Sequence, residues 1–202
     1  TANLAYATNP TAGNLLVVVV TGTSNSIVVT DSNSNTWRMI GSYSGAQSNA
    51  HLWYAYNCKS GATTVQFTGG GSGEIALLEF SGVHNTSDPL NQWAWAYVAG
   101  AATTQSLTTE IGYRNGNLGI TAWGNWNIGT NTTDPSGYTN IFDQGADSAS
   151  AAYKIGCNAG NAVQVTWGTW SSTAGNCMVV AYFRDDSAPN DVPITKGALV
   201  KP

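Results

Sequence analysis

Short runs rich in β-branched and aromatic residues, broken at intervals of about ten residues by clusters of Gly, Ser and Asn, leave this chain few ways to fold. "LAYAT", "NLLVVVVTG", "NTWRMIGSY", "AHLWYAY", "TTVQFTG" and "EIALLEFSG" occupy the first half. "QSLTTE", "NLGITAWG", "GYTNIFDQ", "SAAYKIG", "AVQVTWG" and "CMVVAYFR" occupy the second. None places apolar residues at helical spacing. About twelve strands in this rhythm predict an all-β chain, a β-sandwich of Greek-key or jelly-roll type.

The two sets of runs answer each other. "GNL" at Gly13 to Leu15 returns at Gly116 to Leu118, and the same shift carries Thr30 and Asp31 onto Thr133 and Asp134, and Glu79 and Phe80 onto Tyr182 and Phe183. Tyr54 and Cys58 find Tyr153 and Cys157 at a slightly smaller shift, as small loop insertions and deletions would produce. The expectation is one domain over residues 1–184 made of two pseudo-repeated halves, 1–83 and 103–184, with a connector at 84–102. A C-terminal tail, 185–202, carries three prolines and has no evident counterpart in the first half.

Only 9% of residues are charged, against a typical ~25%, while 42% are apolar and the net charge is −4. Such a chain folds rather than staying disordered, and it exposes a neutral, hydroxyl-rich surface. Seven Lys and Arg among eleven acids form no basic stripe, which argues against nucleic acid as a partner. The longest apolar run, "NLLVVVV", is far short of the ~20 residues of a membrane helix, so no membrane insertion is expected. The sequence starts without Met and without a signal segment, and with this composition it is expected to be a processed, exported product. Cys58, Cys157 and Cys177 fit no zinc spacing and are expected either as small buried hydrophobes or as one pair and a free thiol. Cys157 and Cys177 are not expected to bond to each other, because hairpin order sets them at opposite ends of neighbouring strands.

"PTAGNLLVVVV", "VTDSNSNTW", "LLEFSGV", "DPL" and the closing "CMVVAYFR" together resemble the roughly 200-residue β-sandwich modules of secreted bacterial and archaeal surface proteins and of phage structural proteins. The resemblance covers most of residues 9–184. It implies a sandwich architecture and an extracellular, cell-surface or virion setting, and it carries no catalytic group.

Four features could carry chemistry. Asp31, Asn33 and Asn35 stand at positions one, three and five of a calcium-loop pattern, but Thr36 and Ser42 occupy the places of its glycine and its bidentate acid. The second half keeps the Asp and loses both Asn, so a turn capped by Asp31 is the expectation and a cation the alternative. Glu79 interrupts an apolar run and is the most suggestive acid for a glycosidase pair. Against that role, its counterpart is Tyr182 and no second carboxylate is implied. His51 and His84 are isolated, and the Gly-rich "TGGGSGE" joins two strands rather than opening a helix, so no cofactor is implied.

The aromatics are the fourth feature. Trp93, Trp95 and Tyr97 alternate along "QWAWAYV" and would share one face of a strand, while Trp123, Trp126, Trp167 and Trp170 crowd the second half. They suit a platform for sugar rings, or equally a sandwich core or a subunit interface. The leading expectation is a non-catalytic structural or adhesive subunit that assembles with copies of itself, with Ile194, Leu199 and Val200 of the tail taking part. The alternatives are a carbohydrate-binding module, with a polysaccharide or glycan as partner, and a polysaccharide-acting enzyme.

Overall fold

In a strand, successive side chains point to opposite faces, so a run buried at every position needs cover on both sides. Leu15 to Thr21 is such a run, and so are Asn117 to Asn125 and Asn176 to Phe183. A two-layer sandwich covers only one face of each sheet. In the computed structural model the chain meets the demand with four layers. The structure describes residues 2–22, 27–41, 49–69, 73–98, 104–111, 117–125, 133–144, 149–157, 160–168, 175–185 and 195–196.

Among the described residues every regular element is a strand. They are β1 (Ala2–Ala5), β2 (Leu15–Gly22), β3 (Val28–Asp31), β4 (Arg38–Ile40), β5 (Asn49–Ala55), β6 (Thr64–Thr68), β7 (Gly73–Ser81) and β8 (Leu90–Val98). There follow β9 (Thr104–Ile111), β10 (Asn117–Asn125), β11 (Thr139–Gln144), β12 (Ala149–Cys157), β13 (Gly160–Gly168), β14 (Asn176–Phe183) and β15 (Thr195–Lys196). Two five-stranded sheets form the centre, ordered β15-β7-β2-β5-β4 and β11-β12-β10-β14-β8. A three-stranded sheet, β1-β6-β3, covers the outside of the first, and the pair β13-β9 covers the outside of the second. All named pairings are antiparallel. No helix of the described residues is long and apolar enough to cross a membrane.

The period of two distributes each central strand between two cores. Leu15, Val17 and Val19 of β2 meet Ile120, Val179 and Phe183 in the central core, while Leu16, Val18 and Val20 pack outward on Val29, Val65 and Phe67. On the other side Trp123, Val180 and Tyr182 pack outward on Leu107, Val165 and Trp167. Each such side chain contributes ~1.5–3 kcal/mol by leaving water, so both outer layers are firmly held. Thr121, a polar residue inside this apolar layer, donates to Val179 O at 2.9 Å and accepts from Trp167 Nε1 at 3.1 Å, which satisfies both partners.

Strand order runs alike in the two central sheets: β7-β2-β5-β4 in one, β14-β10-β12-β11 in the other. Two pairings go beyond the sequence-based expectation. The connector at 84–102 contains a nine-residue strand, β8, which follows β7 in the chain yet pairs with β14. The tail contains β15, which follows β14 yet pairs with β7. Each sheet thus receives its last strand from the other half of the chain, and the two connecting segments meet where Val83 bridges Asp185 and His84 N donates to Arg184 O at 3.0 Å. The tail therefore has a positional counterpart. Sequence comparison missed it because Trp-rich β8 and the β15 segment share no residue pattern.

Candidate functional site

Among the described residues, the edge strands β8 and β4 lie on the same side of the central sandwich. In β8, Trp93, Trp95 and Tyr97 pair with Ala181, Val179 and Cys177, whose side chains belong to the central core, so all three aromatics point toward the facing sheet. Tyr97 is close enough to the centre to pack against that core. Trp93 and Trp95 stay at its rim, 44% and 41% exposed, about 7 Å apart along the strand. Opposite them the chain leaves β4 through Gly41, in a left-handed conformation (φ +53°). A Cβ there would lie 3.3 Å from Trp93 and 3.4 Å from Trp95, so the absence of a side chain lets backbone meet both indoles.

The polar end of this face is built on Asp88. Its Oδ2 accepts from Arg38 Nη1 at 2.7 Å, and Tyr54 OH lies 3.0 Å from both carboxylate oxygens. Oδ1 also accepts from Leu90 N at 3.0 Å, which fixes the start of β8. Arg184 Nη2 donates to Asp88 O. Arg38 in turn lies over the Tyr56 ring, 4.8 Å from its centroid. Burial and then the neighbouring carboxylate push Tyr54 up to about 12, so the phenol stays a donor at any ordinary pH. With its oxygens occupied, Asp88 is an anchor that ties β4, β5 and β8 together. Sequence reasoning passed over Arg38, Tyr54, Tyr56 and Asp88. The signal available was "DPL", where an Asp before Pro caps a turn.

The other candidates are placed as follows. Trp123 and Trp167 are fully buried in the outer core of the second half, which excludes them from any surface platform: they face apolar neighbours on both sides of the layer. Trp126, Trp170, Ile194, Leu199 and Val200 lie outside the described residues. Asp31 Oδ1 accepts from Asn33 N at 2.7 Å and Asn35 N at 3.3 Å, while Oδ2 accepts from Trp37 Nε1 at 2.5 Å. Asn33 Nδ2 donates to Thr63 Oγ1, Asn35 Oδ1 accepts from Lys59 N, and Lys59 Nζ donates to Ser34 O. The oxygens serve donors on separate sides of the loop, and a lysine already brings it a positive charge. This is the geometry of a side-chain-capped turn.

Glu79 is buried in the outer face of β7, where Oε1 accepts from Thr11 N at 2.8 Å and Asn14 Nδ2 at 2.6 Å. It holds the turn that feeds β2. At the corresponding place on β14, Tyr182 shares a hydrogen bond of 3.0 Å with Tyr138. All three cysteines are buried thiols. Cys157 lies in the outer core and Cys177 in the central core, on opposite faces of one sheet. Among the described residues no three His, Cys, Asp or Glu side chains gather as a metal site would require.

No protein family, no curated protein and no solved structure matches this chain.

Proposed function

We propose that this protein is a non-catalytic structural β-sandwich subunit that assembles with copies of itself, in an extracellular, cell-surface or virion setting. The observation that carries the reading is the edge strand β8. Proteins that remain single blunt their edges with charge, proline, bulges or short length. The edge strand β4 is three residues long, and β11 carries Asp143 and a register shift. In contrast β8 runs nine residues, Leu90–Val98, without a charge or a proline, and half-exposes two indoles beside Val98. Among the described residues its register breaks at the Leu90 end, and Ala96 O is covered by the Gln105 amide at 3.1 Å. Tryptophans at a half-covered edge are the residues that contribute most to subunit interfaces. The acids support the non-catalytic part of the reading. Asp31, Glu79, Asp88, Asp134 and Asp143 each hold a turn, a loop or a neighbouring side chain.

Placing a charge on the edge tests the reading. Trp95→Lys is expected to fold, since the site is half-exposed, and to shift the protein toward single chains in sedimentation. Equal sedimentation of variant and wild type would remove β8 as the assembling edge.

The same Trp93–Trp95 row favours a second reading, a glycan-binding face bordered by the half-exposed Arg38–Asp88 pair. Titration with oligosaccharides should then shift tryptophan emission, and Trp93→Ala should abolish the shift. No emission change with any glycan class would eliminate that reading.

A further inference from the structure

Arg38 and the two exposed indoles of β8 belong to one strip of surface. Arg38 reaches Asp88, just before β8, while Gly41, three residues further on, stands against Trp93 and Trp95. The two segments therefore run past each other in the same direction, and the guanidinium end lies about 10 Å from the indole end along β4. Both ends keep accessible surface: Trp93 and Trp95 are 44% and 41% exposed, and the side chains of Arg38 and Asp88 are 39% and 45% exposed. Asp88 spends its oxygens on Arg38, Tyr54 and Leu90 N, whereas Arg38 has donors to spare. Its five N–H groups exceed what Asp88, Tyr54 and Tyr56 take up, and its place over the Tyr56 ring, 4.8 Å from the centroid, fixes the fork before any ligand arrives.

We infer that this strip binds a neutral glycan chain, with sugar rings on Trp93 and Trp95, the chain passing the bare backbone of Gly41, and Arg38 donating to sugar hydroxyl oxygens. The inference rests on the glycan-binding reading above and names the class of sugar and the groups that recognise it. The C–H face of a sugar ring packs on an aromatic side chain, while its hydroxyls require fixed polar partners, the usual division in a ligand site between apolar surface and a few placed polar groups. Arg38 is such a group, and Asp88 is the residue that positions it. Charge decides between neutral and acidic sugars. Arg38 and Asp88 offset each other at 2.7 Å, the indoles and Gly41 bring no charge, and the whole chain carries −4. A uronate or sulfated chain would approach a molecule of its own sign and set an anion beside Asp88, a like-charge contact that weakens binding. A neutral chain meets no such penalty. Since the strip is longer than one sugar ring, affinity should rise from monosaccharide to oligosaccharide.

Titration of the full-length protein at high dilution tests this, because the assembling edge uses the same two indoles and a second copy would compete for them. The probes are hexasaccharides of glucose, xylose and mannose, hexagalacturonate, and the free monosaccharides. Tryptophan emission is read at low and at high salt. At least one neutral hexasaccharide should shift the emission, with an affinity that salt does not alter and that exceeds its monosaccharide's. Arg38→Gln should weaken that affinity about tenfold or more, the scale of a hydrogen bond from a charged donor, and Arg38→Lys should recover part of it. Gly41→Asn puts a side chain against both indoles while keeping a residue that accepts the left-handed backbone, so it should weaken binding with little change in melting temperature. Should Arg38→Gln fail to fold, Gly41→Asn carries the test alone. Hexagalacturonate bound in preference, with an affinity that falls as salt rises, would overturn the inference and leave the glycan-binding reading standing. So would a neutral sugar whose affinity neither Arg38→Gln nor Gly41→Asn changes. No emission change with any of the probes removes both.

Discussion

At the scale of single residues, polar side chains in this fold are mostly spent on holding backbone. Asp31 receives three donors from its own loop, so Asp31→Ala should cost about 0.5–2 kcal/mol, the scale of a lost side-chain cap. Thermal melting with and without a calcium chelator checks this, and the loss should be the same in both. Glu79 and the thiol of Cys58 lie at the turn that feeds β2, where Cys58 is pushed up to about 11 by burial and then by the Glu79 charge. Tyr54 is raised to about 12 for the similar reasons of burial and the Asp88 charge. Groups that hold protons more tightly when folded lend their full stability below their unfolded pKa values, 9.0 and 10.0, and lose it as pH climbs through the folded ones. The melting temperature should therefore decline between about pH 9 and pH 12, and Cys58→Ala should remove the earliest part of the fall. A melting temperature level to pH 11 would contradict this. The Asp31 turn was legible because the second half kept the Asp and dropped both Asn, so the shared role had to be the turn. For Asp88 only the turn was legible, in "DPL". Its partners Arg38 and Tyr54 come from β4 and β5, and a one-dimensional pattern holds no sign of that meeting.

The scale of elements shows where periodicity informs and where it stops. "NLLVVVV" announces a strand buried on both faces, and β2 is one. What the run does not announce is the number of layers that cover it, because burial on both faces is the same pattern whether the outer cover is a sheet, a helix or another chain. Strand β8 was harder still. Its alternating tryptophans were visible, but its position in the join between halves suggested a connector, and only the crossing of the chain beside Val83 and Asp185 makes it an edge of the second sheet. Close approach of the two central sheets gives a test at this scale. A Cβ on Gly124 of β10 would lie 2.5 Å from Asn49 O of β5. Gly124→Ala should separate the sheets and cost about 1–3 kcal/mol, measured by denaturant unfolding. A variant as stable as wild type would show that the sheets are not in contact there.

At the scale of the whole molecule, the four-layer arrangement explains why 9% charge suffices for folding and why it leaves an exposed problem. Both faces of the central sheets are closed by the chain itself, so the large apolar side chains that stay exposed among the described residues lie on strands, chiefly along the edge of β8. A monomer would have to keep those edges apart with little charge to repel its neighbours. Assembly uses them. The mass of the full-length protein in solution, measured by light scattering over a range of micromolar concentrations, tests this most directly. The account predicts particles of several chains that grow with concentration, and a single species of 21.1 kDa at every concentration would contradict it.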